Sequence, residues 1–297
     1  MSIASRESGW NDNEVVLKPH LPVFEPIEFE IRLLNARLDR AEHHYESFGR
    51  IWDEYLSGRP HSLDHVPNED GTVSVRLRRR TPLPVELSLV FGEILYELRA
   101  ALDNCLYAVA VLVSEQNPPP NAARLEWPIR ITPKEWRDQA KRYSGLPFEV
   151  REGLEAIQPY QAQYPEWNSL RILHDLARVD RHRSPHGLGL YLSHLRLFAD
   201  QDKVAVVDPG RPGIIHEGGE ILRLRLGQGV VLSPENFDLN VEFDVDVTNV
   251  RELPGPSNQS GRPWGPLHMR MRSLIKAVDE YSTGLIAIGV DHATDCG

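Results

Sequence analysis

The chain has 297 residues, 41% of them hydrophobic and 26% charged, with a formal net charge of -10. That composition is ordinarily globular and excludes wholesale disorder, and the acidic balance excludes a general nucleic-acid or anionic-membrane surface, since phosphate binding needs a basic one. The length suits one large or two modest domains with ample core.

The basic residues are 28 Arg against 5 Lys. A GC-rich genome explains that skew as well as a function would, although Arg also suits buried or bidentate pairing better than Lys. Of the two cysteines, Cys105 falls in an apolar run and Cys296 is next to last, so no structural disulfide is expected. Met1 to Glu14 shows no secretory pattern, and the longest apolar run, Cys105 to Val113, is nine residues, where a bilayer span takes about 20. A soluble, cytoplasmic protein without membrane association is the expectation.

Residues 1–26 are polar, with Pro19, Pro22 and Pro26, and read as an N-terminal tail. Then Ile31, Leu34, Leu38, Ala41, Tyr45, Phe48, Trp52 and Tyr55 recur at steps of three and four, which puts them on one stripe of a helix. Such a stripe packs within one domain more often than between chains, although it also suits a homodimer through this first helix. The Ser57, Gly58, Arg59, Pro60 stretch stops the helix. Asn68 to Gly71 is a turn signal followed by alternating Val73, Val75 and Leu77, which predicts a small hairpin. The basic run Arg76, Arg78, Arg79, Arg80 at its end reads as a solvated strand edge.

A second long helix is expected over residues 85–114, apolar on nearly every side from Leu98 to Val113 and stopped by Asn117 and the prolines 118–120. Thr132, Pro133 and Glu135 form a capping box that opens a short helix to about Tyr143. Further helices are expected over about 147–158 and 168–183, the latter with Leu170, Leu173, Leu176 and Ala177 on its core face. After Pro185 the period becomes two. Leu222, Leu224 and Leu226 alternate with Arg223 and Arg225, and Phe237 to Val247 alternates apolar residues with Asp238, Asn240, Glu242, Asp244 and Asp246. If these strands pair, the arginines face the acidic row. A calcium site in that row is not expected, because a strand lacks the curved loop that wraps the ion. Residues 251–266 read as a Pro/Gly-rich loop, and 267–297 as a C-terminal helix, about 267–281, with a short tail.

The fold class is therefore α+β: a helical layer or bundle over 27–186, an antiparallel β unit over 187–250, and a returning C-terminal helix.

One constellation carries chemistry. Arg99 and Asp103 share a helix face, with Asn104 one step round, and a charge inside an apolar helix is costly unless paired. The expected supply is Asp180, Arg181, His182 and Arg183 at the end of the fifth helix, with Asp180 accepting from Arg99. A ligand set of Asp180, His182 and His186 is interrupted by Pro185, so no metal is expected, and without a phosphate loop or a hydrolase or zinc signature no cofactor is expected either. The adjacent His43 and His44 read as surface residues.

Four stretches together resemble a widespread bacterial and phage-borne family to which no activity is securely attached: Gly92 to Asn104, with Leu98, Arg99, Ala101, Leu102, Asp103 and Asn104; Trp127, Pro128, Ile129; Gln158, Pro159, Tyr160; and Asp180, Arg181, His182, Arg183. The chain is more distantly similar to HEPN-type helical domains, some of which are metal-independent ribonucleases with an arginine and a histidine on one helix. Arg99 matches that arginine. The histidine position holds Asn104, and asparagine cannot be a general base. The resemblance implies Arg99 and His182 as catalytic residues, with His182 acting from the other helix, in a toxin or phage-defence ribonuclease. The residues themselves point to a non-enzymatic protein whose Arg/Asp/His cluster is structural or shapes a small anionic-ligand site.

Overall fold

In the computed structural model, which describes residues 22–182, 187–248, 253–255 and 260–295, the eight-residue stripe becomes one face of helix α1 (Glu28–Ser57). Ile31, Leu34, Ala41, Phe48, Trp52 and Tyr55 are buried inside the chain, and Leu38 and Tyr45 are half-buried. The stripe is thus used within the protomer. Helix α2 spans Val85–Ser114, and its Leu98 to Leu112 portion buries nearly every apolar side chain. The chain is α+β, and no helix among the described residues is long and apolar enough to cross a membrane.

Contacts divide it into two units. The first comprises Met1–Gly49, Leu89–Pro185 and Arg251–Gly297 and holds most of α1 and α2 together with α3 (Pro133–Gln139), α4 (Phe148–Ala156), α5 (Ser169–His182) and α6 (Leu267–Asp295). The Thr132 hydroxyl accepts from Glu135 N, and the Glu135 carboxylate accepts from Ile131 N, which caps α3 as the spacing predicts. Helix α6 runs 14 residues past the expected stop at Tyr281. Gly284 does not end it, because Leu285 and Ile286 are buried and continue the apolar face.

The second unit comprises Arg50–Ser88 and His186–Val250. It contains β1 (His61–Pro67), β2 (Thr72–Arg79), β3 (Leu188–Ala199), β4 (Val204–Asp208), β5 (Gly213–Ile215), β6 (Glu220–Leu226) and β7 (Phe237–Val247). One sheet has the order β1-β2-β6-β4 and another β5-β3-β7, with antiparallel pairing throughout. The β1–β2 turn forms where expected: Gly71 adopts φ +76°, and the Asp70 carboxylate accepts from Thr72 N at 3.0 Å. The His61 ring stacks on Phe243 at 4.7 Å between centroids, and His65 meets Phe237 edge-on at 6.0 Å, so β1 touches the second sheet through aromatic contacts.

Three features differ from the sequence reading. The hairpin, placed by chain order within the 27–186 helical segment, pairs through β2 with β6 and groups with the β unit. The basic end of β2 is not a strand edge, because β1 flanks it on one side and β6 with the Gly218–Gly219 turn on the other. Finally, β6 pairs with β2 and β4, so Arg223 and Arg225 do not face the acidic row of β7; Arg223 is held instead by Glu220 at 3.1 Å. Strand pairing across such sequence distances is set by which faces pack together, and period-two alternation alone leaves the partner open.

Candidate functional site

The site is built on an extended segment, Leu125 to Arg130, that belongs to no sheet. Backbone groups withdrawn from water need partners, and here side chains provide them. The Tyr143 hydroxyl donates to Glu126 O at 3.0 Å, and Trp127 N donates to the Asp103 carboxylate at 2.8 Å. Gln158 is fully buried; its amide oxygen accepts from Arg130 N at 2.7 Å, and its amide nitrogen donates to Pro128 O at 3.1 Å and Leu154 O at 2.7 Å. Asp103 and Gln158, from two of the stretches singled out in the sequence, therefore fix the third, Trp127 to Ile129.

That segment brings Glu126 to Arg99. Arg99 is buried, with 5% of the residue exposed. Its Nη2 lies 3.8 Å from Asp103 Oδ1, one turn along α2, and 3.5 Å from Glu126 Oε1. The other oxygen of Glu126 lies 3.9 Å from Arg142 Nη1. Asp103, Ala123, Arg124, Leu125, Glu126 and Arg142 line an open cleft of about 520 Å³, a volume within the range of small-ligand sites.

On helix α5, His174 lies within the electrostatic influence of the same arginine. Burial first, then the Arg99 guanidinium, with Arg178 and Arg130 adding to it and Asp175 opposing, holds this imidazole below its ordinary value. An imidazole in its neutral form is able both to donate and to accept a hydrogen bond. Among the described residues no three His, Cys, Asp or Glu side chains gather in a way that would hold a metal ion.

Of the residues expected to form the cluster, Arg99 and Asp103 come together. Asn104 stands beside them in sequence, and its buried amide nitrogen has no hydrogen-bond partner among the described residues. Asp180, Arg181 and His182 end α5, but their side chains lie outside the described residues, as do Arg183 and His186. The expected Asp180–Arg99 pair therefore lies outside them too. His44 is not a plain surface residue: its side chain is 14% exposed and its Nδ1 lies 3.3 Å from Glu93. Sequence reasoning missed Glu126, Arg142 and His174. The position of Glu126, immediately before the Trp127-Pro128-Ile129 stretch, was the available signal; His174 showed only a place beside the Leu170–Leu173–Ala177 face.

No family model, curated protein or solved structure matches this chain.

Proposed function

We propose that the chain binds a small anionic ligand in the cleft beside Arg99 and acts by binding. The observation that carries this reading is the half-exposed Glu126 side chain, which lines an open cleft with Arg124 and Arg142 and stands between Arg142 and the buried Arg99 behind it. Arginine forks match carboxylate and phosphate oxygens in geometry as well as in charge. Calorimetric titration of sodium phosphate and sodium acetate into the wild type and into Arg124→Ala/Arg142→Ala tests it. The wild type is expected to bind saturably, with affinity that falls as salt rises, and the double variant to bind roughly tenfold or more weakly. A wild type that takes up neither anion overturns the reading.

A second reading is a HEPN-like, metal-independent ribonuclease of a toxin or phage-defence system. It is favoured by one feature: burial, and then the Arg99 guanidinium, disfavours protonation of His174 on α5. In this reading Arg99 stabilises phosphate charge, and His174 or His182 transfers the proton. RNA integrity after overexpression, compared among wild type, Arg99→Met, His174→Ala and His182→Ala, decides it. Degradation by the wild type that both histidine variants retain eliminates a histidine-based nuclease.

A further inference from the structure

We propose that Glu126 occupies the seat of the ligand's anionic group, so that a phosphate monoester binds by displacing the Glu126 side chain from Arg99 and Arg142; this rests on the anion-site reading above.

Glu126 is tethered at its backbone and loose at its head. Tyr143 holds its carbonyl, and Asp103 holds the next amide. Its side chain, by contrast, is 52% exposed, and the carboxylate stands 3.5 Å from Arg99 and 3.9 Å from Arg142. Those separations exceed the roughly 2.7–2.9 Å of a charge-assisted hydrogen bond, so the pairs are weakly held and screened by solvent. The fixed points lie in the backbone, so the side chain can turn away without moving the main chain, while Arg99 keeps Asp103 at 3.8 Å. Asp103 cannot leave in the same way, because it also accepts from Trp127 N.

The charge then selects the ligand class. With Glu126 withdrawn, Arg124 and Arg142 line the cleft against the single carboxylate of Asp103, so the lining carries an excess of positive charge. A phosphate monoester carries about -1.5 to -2 at neutral pH and has three acceptor oxygens, enough to engage both and to reach toward Arg99 Nη2. A monocarboxylate carries half that charge and merely exchanges one carboxylate for another.

The test is calorimetric titration at pH 7.5 of β-glycerophosphate and, separately, acetate into the full-length wild type, Glu126→Gln and Glu126→Ala, with thermal melting to verify folding. Removing the internal competitor should tighten β-glycerophosphate binding roughly threefold to tenfold in both variants, and the wild type should prefer it over acetate. A wild type that binds β-glycerophosphate while neither variant binds it more tightly overturns displacement and leaves the anion site standing. Binding of acetate at least as tight overturns the monoester class. No binding by wild type or either variant overturns the site itself.

Discussion

At the scale of single residues, Gln158 shows how a polar side chain substitutes for a strand. It is the acceptor for Arg130 N and the donor to Pro128 O, so truncating it strands buried backbone groups on a segment with no other ladder. Gln158→Ala should lower the unfolding free energy by about 2–4 kcal/mol, read from urea denaturation. The sequence displayed Gln158 as the end of the helix expected over about 147–158, because nothing local to it discloses a bond 28 positions back. His174 and His61 give a pH dependence with a defined sign. Burial lowers both, aided at His174 by Arg99 and at His61 by Arg79. The unfolded imidazoles, near 6.5, protonate first as pH falls, so the stability these histidines contribute is complete above that value and is lost as pH drops toward the depressed folded values. Urea midpoints should therefore fall between pH 7.5 and 5.5, and His174→Gln combined with His61→Phe should flatten that fall. An unchanged slope in the double variant would contradict the assignment.

At the scale of elements, long helices were legible because their period repeats many times. The span of α2 coincides with the one its pattern predicts, and that of α1 nearly so. Where α6 overran its expected end, tertiary burial of Leu285 and Ile286 outweighed the local signal of Gly284. Helix α4 packs on α6, and its Leu154 is fully buried, so Leu154→Ala should cost about 2–5 kcal/mol by denaturant titration. The β4–β5 connection depends on Gly210, whose φ is +71° and whose Cβ, were it present, would lie 1.9 Å from Ile221 O. Since backbone rather than a flexible side-chain tip blocks the space, Gly210→Ala should destabilise by about 3 kcal/mol or more, whereas Gly213→Ala, which meets open space, should stay within about 1 kcal/mol. Comparable melting temperatures for the two variants would refute this.

At the scale of the whole molecule, neither unit is a continuous stretch of chain. The second joins Arg50–Ser88 to His186–Val250, and the first is assembled from three segments. A fragment covering 186–250 keeps β3 to β7 but lacks β2, the strand that pairs with β6 from Thr72 to Arg76. It should remain unfolded by circular dichroism and regain sheet structure only in the intact protein, because the apolar face of β6 is then left without its neighbour. A folded fragment would show that the hairpin is dispensable. The chain-order reading assigned the hairpin to the helices for the same reason: contiguity was the available guide, and it does not report pairing between residues as far apart as Thr72 and Arg225.

Periodicity by itself determined the α+β class, the extents of α1 and α2, the α3 cap and the Asn68–Gly71 turn, since each follows from interactions among residues a few positions apart. It also marked Arg99 and Asp103, because a charge within an apolar helix conflicts with its surroundings and demands a partner. The identity of the partners was a tertiary decision. Glu126 reaches Arg99 because Asp103, Tyr143 and Gln158 hold an irregular segment in place. Which strands neighbour β6 was decided in the same way, by long-range burial that carries no local pattern.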